Sequence, residues 1–181
     1  MTQELADLRT SILEGRYQDA LTLLDELDGM SKKAILRAIK SFAIRMLLHL
    51  IKNQLEQRLT NSWAASIRGS ILEIQDLNLK ENKTSYYIKS DDWESLLTEA
   101  IEVAIRDASV EVLEGAYSPF QISNMVKREE IIATAQDLLT LTYNNSPLEL
   151  PAKVDDKLSH LPGGETWKEG RLSEGGFGPK Y

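Results

Sequence analysis

Several residue types on which common enzymes depend are missing or scarce in this sequence. It contains no cysteine, which excludes disulfide bonds, thiolate nucleophiles and cysteine-ligated zinc. Only two histidines occur, His49 within a predicted helix and His160 near the C-terminal end. Histidines and carboxylates are not clustered at the short spacing of a zinc site, and the motifs of nucleotide-binding or hydrolytic enzymes are missing. We therefore predict no metal, no cofactor and no catalytic residue.

Long hydrophobic runs are also missing. The most apolar run, from Phe42 to Ile51, contains Arg45 and His49 and has about half the length that a membrane span requires. The N-terminal residues MTQELADLRT are acidic and lack the apolar stretch of a secretory signal. We expect a cytoplasmic protein that does not cross a membrane.

Charge of one sign is concentrated in one part of the chain. The net charge is −7, but residues 31–68 hold eight basic residues and one acid. The segments before and after them are both acidic. Such asymmetry more often reflects pairing between neighbouring helices than a binding site for a partner. The net negative charge argues against non-specific binding of nucleic acid by the whole surface.

The hydrophobic pattern is helical over most of the chain. A length of 181 residues with 42% hydrophobic content suits one domain with an appendage. We predict an all-α, antiparallel bundle of five to six helices over residues 1–143. Its elements are a short helix before Gly15, a helix over 17–27 closed by Gly29, a long central helix over 31–59 capped by Ser31, its hairpin partner from Asn61 or Ser62, and helices over 91–115 and 118–142.

The second half of the long helix is apolar on almost every side, which predicts that other helices surround it. Its polar residues form one line, which we call the polar seam: Arg45, His49, Lys52 and Glu56. A lone histidine in such a position is more often structural than catalytic, so we expect the seam to meet acidic residues of neighbouring helices. The alternative is a groove that accepts an anion.

The composition changes after Tyr143. Residues 144–181 contain four of the five prolines and six of the ten glycines, which predicts an irregular or disordered tail. The tail nevertheless contains three aromatic residues that a spacer would not need, Trp167, Phe177 and Tyr181. These residues are candidates for docking on a partner or on the chain's own bundle.

One family resemblance follows from residues of the long helix and its partner. The sequence His49-Leu50-Ile51-Lys52-x-Gln54, then Arg58, then Ser62-Trp63-x-x-x-Ile67-Arg68, resembles the signature of the bacterial "domain of unknown function 29" family, which is frequent in cyanobacteria. The resemblance covers about residues 5–113. It implies an all-α bundle in a bacterial cytoplasm and brings no activity with it.

The residues of the signature also have a physical interpretation. Trp63 lies one turn into the fourth predicted helix, where its indole is placed to pack onto Leu55 or Leu59 and to fix the hairpin. Arg58 and Arg68 are placed to bracket the turn and to donate hydrogen bonds to its carbonyl groups.

Three functions remain open at this point. The first is a non-enzymatic interaction or regulatory module that binds another protein or a second copy of itself. The second is a nucleic-acid-binding regulator that uses the basic start of the long helix, Lys32, Lys33, Arg37 and Lys40. The third, and least supported, is an enzyme centred on His49. The sequence favours the first.

Overall fold

The fold is all-α, as predicted. A computed structural model describes residues 1–170, and no strand occurs among them apart from one isolated bridge between Leu79 and Tyr86. The helices are α1 (Gln3–Leu13), α2 (Tyr17–Glu56), α3 (Asn61–Asn78), α4 (Trp93–Ser109), α5 (Pro119–Met125), α6 (Arg128–Asn144), α7 (Leu150–Ser159) and α8 (Gly164–Glu169), with a 3₁₀ turn at Val112–Gly115. No helix in this part of the chain has both the length and the apolarity needed to cross a bilayer.

Residues Met1–Ala38 form one compact unit and a second unit begins at Ile39. The first unit is a hairpin of α1 and the first half of α2. Gly15 makes the turn with a φ of 73°, a left-handed conformation that favours glycine, and the Arg16 amide closes it on the Ser11 carbonyl at 2.8 Å. Only Ser11 and Ala20 are buried in this hairpin.

The predicted break at Gly29 is wrong. Helix α2 runs without interruption for 40 residues, so Ser31 lies inside it and caps nothing. A glycine within a helix costs about 1 kcal/mol relative to alanine, which is too little to stop a helix whose neighbouring residues favour it. The exposed Gly29 is therefore accommodated in α2.

The second half of α2 belongs to the second unit and lies in its core. Fully buried apolar side chains occur all along it: Ile39, Ala43, Met46, Leu47 and Ile51. The helix ends at Glu56, three residues earlier than predicted, because Gln57 takes a positive φ of 53°. The start of the hairpin partner predicted at Asn61 or Ser62 is confirmed, since α3 begins at Asn61. Thr60 caps it by accepting a hydrogen bond from the Trp63 amide at 3.1 Å.

The helix predicted over 118–142 is two helices. Its start is as predicted, with a complete capping box in which the Ser118 hydroxyl and the Gln121 side chain each accept a bond from the other's backbone amide. The chain leaves the helix at Val126, however, and α6 begins at Arg128. Gln54 of α2 holds this break, since its side-chain amide accepts from the Lys127 amide at 2.9 Å and donates to the Lys127 carbonyl at 3.3 Å.

The prediction of an irregular tail over 144–181 is wrong for residues 150–169. Helix α7 packs against α3 and α6, and α8 follows it. Leu150, Val154 and Leu158 are fully buried, because their i, i+4, i+8 spacing puts them on one face of α7. Pro151 lies in the first turn, where a proline needs no hydrogen-bonding amide. The remaining candidates, Phe177 and Tyr181, lie outside the described residues.

Candidate functional site

The residues of the family signature meet where α2 turns into α3. Trp63 is only 7% exposed, and two cations lie beside its ring. The Lys52 ammonium and the Arg58 guanidinium are each 4.7 Å from the ring centre. A cation at this distance is attracted by the ring's negative face, more strongly when water is excluded. Ile67, one helical turn further along α3, is fully buried. We call this group the α2–α3 joint.

The polar seam meets α4 and the segment after it. Lys52 is only 8% exposed, and its ammonium donates to the Glu111 carboxylate at 2.6 Å. This bond lowers the pKa of the Glu111 carboxyl below its usual value, and the desolvation that opposes the shift is smaller. Lys40 and Glu99 pair in the same way at 3.1 Å, twelve residues earlier on both segments. Helices α2 and α4 therefore run in the same direction, with basic groups of one facing acidic groups of the other.

We expect this ion pair to be coupled by about 1 kcal/mol, because Lys52 is buried whereas Glu111 is half exposed and partly screened by water. A double-mutant cycle of Lys52→Met and Glu111→Gln, followed by urea unfolding at pH 7, measures the coupling. Since the hydrogen bond from Lys52 lowers the folded-state pKa of Glu111, the coupling is present at pH 7 and is lost as the pH falls through that lowered pKa and the carboxylate is protonated. Two single variants whose effects simply add at pH 7 would contradict the interpretation.

His49 lies in the seam one turn before Lys52. Burial, together with the nearby Lys52 charge, lowers its pKa to about 4, so the imidazole is neutral at pH 7. Its Nδ1 atom is buried and has no hydrogen-bond partner in residues 1–170. Arg45, one turn earlier, is exposed, and its guanidinium lies 5.6 Å from the centre of the Phe42 ring. The Glu111 carboxylate is close enough to oppose the fall in the His49 pKa, but burial outweighs it. No cluster of three metal-binding side chains occurs in the described chain.

Glu56, the last residue of the seam, supports the segment that follows α4. Its carboxylate accepts from Arg58 at 2.9 Å and from the Leu113 amide at 3.4 Å. Leu113 and Glu114 both adopt positive φ, at 50° and 61°, which is unfavourable for side chains of their size. The Arg58 side chain thus bonds Glu56. The prediction that it donates to the turn carbonyls is wrong. Arg68 is also placed differently from the prediction, since it pairs with Asp155 of α7 at 2.6 Å.

Asn53 ties the C-terminal helices to the same joint, and the sequence analysis did not identify it. Its side-chain amide donates to the Arg58 carbonyl at 3.1 Å and to the Pro162 carbonyl at 2.8 Å. Gly163 passes so close to this turn that a Cβ added to it would lie 2.6 Å from the Arg58 Cα atom. The seam, the joint and residues 162–163 therefore form one connected structure, and most of its groups already have partners.

Trp167 of α8 docks on the chain's own bundle. Its indole N–H donates to the Asn61 side chain at 3.3 Å, and the residue is half-buried. An open groove lies beside it, lined by Leu59, Thr60, Asn61, Thr166, Trp167 and Gly170. The tail aromatics were predicted to dock either on a partner or on the chain's own bundle. The contact between Trp167 and Asn61 is of the second kind.

The basic start of the long helix is the remaining predicted surface. Lys32, Lys33 and Arg37 are exposed, whereas Lys40 is paired with Glu99. These four residues do not form one continuous patch, because Lys32 lies about 80–140° around the helix from the other three. Ser62, a residue of the family signature, is exposed in the first turn of α3.

The structure exposes a further surface, on the N-terminal hairpin, that the sequence analysis did not identify. Five large apolar side chains of the N-terminal hairpin are between 44% and 67% exposed: Leu5, Ile12, Tyr17, Leu21 and Leu24. We call them the N-terminal apolar face. The three residues on α2 lie within about 60° of one another around the helix.

The other side of this hairpin is polar. A cleft there is lined by Asp7, Thr10, Ser11, Arg16, Asp19, Thr22, Leu23 and Glu26. Arg16 donates to Asp19 at 2.9 Å and to Glu14 at 2.8 Å beside it. Thr22 and Glu26 lie about 160° around α2 from Leu24, and Leu5 and Ile12 lie about 140–160° around α1 from Asp7. The polar cleft and the N-terminal apolar face are therefore on opposite sides. A hairpin with one wet and one apolar side is typical of an element that packs against another surface.

Comparisons with known proteins give one match. A family model described as "Domain of unknown function DUF29" matches residues 3–139, about three quarters of the chain. No curated protein and no solved structure matches the chain.

Proposed function

The chain belongs to the DUF29 family, and from its structure we propose that it is a non-enzymatic module that binds a protein through its N-terminal apolar face. The observation that supports this proposal is the exposure of Leu5, Ile12, Tyr17, Leu21 and Leu24 on one side of a single hairpin. Isolated apolar residues are normal on a surface, but a contiguous set of this kind marks an interaction site.

The hairpin's own packing supports the same proposal. A segment of 38 residues that buries only Ser11 and Ala20 does not remove enough apolar surface from water to offset the entropy of ordering its backbone. Burying Leu21 and Leu24 against a partner would contribute about 1.5–3 kcal/mol for each side chain. Covering the N-terminal apolar face with a partner would therefore stabilise the hairpin.

The polar seam is a weaker candidate for a binding site than the N-terminal apolar face. Lys52, Glu56 and Arg58 are engaged with one another or with Glu111 and the Leu113 amide, which leaves few groups to hold a ligand. The nucleic-acid alternative uses Lys32, Lys33, Arg37 and Lys40, and Lys40 is bonded to Glu99. Proteins that bind phosphates electrostatically usually neutralise about 6–10 of them, so this basic segment alone is a small footprint.

Replacing Leu24 by aspartate tests the proposal. A charge in the middle of the face should abolish the capture of bound proteins by the affinity-tagged full chain, because the interface would have to bury an unpaired carboxylate. Thr22→Asp is the matched control, since it adds the same charge to the same helix on the polar side. Both variants should keep the helical circular dichroism of the parent, as both positions are exposed.

The measurement is quantitative mass spectrometry of captured proteins, including untagged copies of the same chain. We expect Leu24→Asp to lose partners that the parent and Thr22→Asp retain. Identical sets of partners for all three chains would contradict the proposed binding face.

A further inference from the structure

The first half of α2 carries a repeat that continues the N-terminal apolar face along the helix. Positions alternate in steps of four and three residues: Tyr17, Leu21, Leu24, Asp28, Ser31, Ile35 and Ala38. This is the spacing of a seam that packs along another helix. The first three residues are exposed and the last two are half-exposed, so this seam is largely uncovered.

The middle of the repeat is polar in an unusual way. Asp28 and Ser31 occupy two consecutive seam positions, both exposed, between apolar Leu24 and apolar Ile35. A polar residue at one seam position costs stability but fixes register and partner, because it is satisfied only when a matching polar group lies opposite. An acid and a hydroxyl in adjacent layers are such a matching pair, since the hydroxyl can donate to the carboxylate.

Charge along α2 changes sign at the same point. Asp19, Asp25, Glu26 and Asp28 precede the middle of the repeat, and Lys32 and Lys33 follow it. A second copy of α2 lying parallel to the first would place acid beside acid and base beside base. A copy running in the opposite direction would place the acidic end of each helix beside the basic start of the other. The charge order therefore selects one orientation.

We propose that a second copy of this chain covers the N-terminal apolar face, with the two α2 helices antiparallel about a two-fold axis near Gly29 and Met30. The inference rests on the proposed function and names its partner. The axis brings Leu21 opposite Ala38, Leu24 opposite Ile35 and Asp28 opposite Ser31, and every layer occurs twice by symmetry. Apolar residues then meet apolar residues, and each Asp28 carboxylate meets a Ser31 hydroxyl.

Ion pairs flank the seam in this arrangement. Asp25 and Lys32 lie on the same side of the seam, about 80–100° around α2 from Leu24. In an antiparallel pair, residues on the same flank of the two helices face each other, so Asp25 of one copy meets Lys32 of the other, twice. The opposite flank carries Ala20 and Leu27, which are buried and half-buried within the hairpin itself, and the exposed Ala34.

Helix α1 completes the interface. Leu5 and Ile12 are exposed on the same surface of the hairpin as Leu21 and Leu24. With the axis near Gly29 and Met30, the two α1 helices lie at opposite ends of the α2 pair. Each α1 then lies beside the part of the other copy's α2 that follows Met30, and that helix covers Leu5 and Ile12. The second copy thus provides the core that the 38-residue unit lacks alone.

The first test is the mass of the full chain in solution, by light scattering at about 100 μM, a concentration that populates dimers of micromolar affinity. We expect twice the monomer mass of 20.4 kDa for the parent and for Thr22→Asp. Leu24→Asp should be monomeric, with a dissociation constant raised by at least about 100-fold, since two leucines leave the interface. A monomeric parent would overturn the inference. The capture experiment would then show whether the N-terminal apolar face binds a different protein. A dimeric Leu24→Asp would also overturn it.

The second test is a charge exchange that reports the orientation. Asp25→Lys and Lys32→Asp should each raise the dissociation constant by about 10-fold, because each turns two attractive pairs into repulsive ones. The double variant restores both pairs in reversed sense and should recover the parent's dissociation constant. All these positions are exposed, so the variants should fold as the parent does. A double variant as weak as the singles would overturn the antiparallel register.

Discussion

Replacing Trp63 by alanine is expected to lower the free energy of unfolding by about 3–5 kcal/mol, the usual cost of removing a large buried aromatic side chain. Trp63 is 7% exposed at the α2–α3 joint, so its loss leaves a cavity next to the Thr60 cap. The Lys52 and Arg58 cations, each 4.7 Å from the ring centre, would also lose their aromatic neighbour. For Lys52 this loss occurs at a buried site, where a cation depends most on its surroundings.

Urea unfolding of the full chain measures this effect, with Trp167→Ala as the matched control. Trp167 is only half-buried and makes a single 3.3 Å hydrogen bond to Asn61, so its removal should cost roughly 1 kcal/mol or less. Trp63→Phe should recover part of the loss, since it restores a ring beside both cations. Equal denaturant midpoints for the parent and Trp63→Ala would show that the joint does not depend on the indole.

Replacing Asn78 by alanine is the second large effect, at about 2–4 kcal/mol. Asn78 is 1% exposed and pairs with the backbone of Ile88, accepting from its amide at 2.7 Å and donating to its carbonyl at 2.8 Å. The Ile88 carbonyl would keep its bond from the Tyr143 hydroxyl at 2.6 Å, but the amide would be left buried without a partner. An unsatisfied buried donor costs about 1–3 kcal/mol in addition to the lost bonds.

The same network includes Trp93, whose indole N–H donates to the Tyr143 hydroxyl at 2.7 Å. Tyr143→Phe should therefore be destabilising as well, though by less than Asn78→Ala, and the two variants should not be additive because they share Ile88. Asn82→Ala is the control, since Asn82 is an exposed residue of the same connecting segment. Calorimetric unfolding distinguishes them, and an Asn78→Ala midpoint equal to that of Asn82→Ala would contradict the role of the buried amide.

Local signals predicted much of this architecture. The capping box of Ser118, Pro119 and Gln121 places the start of α5 correctly, because the residues that make the cap are adjacent in sequence. The core face of α2 also follows from helical periodicity, as the burial of Ile39, Met46 and Leu47 shows. In both cases the determining interaction lies within one helix.

Tertiary contacts decided two of the features that were predicted wrongly. The break between α5 and α6 is held by Gln54, more than seventy residues earlier in the chain, and no local glycine or proline marks it. Proline and glycine content suggested an irregular tail, but Val154 and Leu158 find a buried surface on α3 and α6 that only the folded chain provides. The spacing of those aliphatic residues was the signal that composition obscured.

The candidate site was predicted in part. Trp63 was correctly expected to be a buried anchor, and the seam does meet an acid, Glu111. The N-terminal apolar face was not recognised, because periodicity shows which side of a helix is apolar but not whether the same chain covers it. The reversal of charge between Asp28 and Lys32 was visible in the sequence and is the feature that now suggests a partner.

The central claim is that the α2–α3 joint stabilises the fold and that a second copy of the chain covers the N-terminal apolar face. Amide hydrogen exchange of the full chain at two concentrations about a hundredfold apart tests it most directly. At the higher concentration, amides between Tyr17 and Ile35 should exchange more slowly, while amides between Trp63 and Ile74 should be unchanged. Exchange between Tyr17 and Ile35 that is fast and identical at both concentrations would contradict the account.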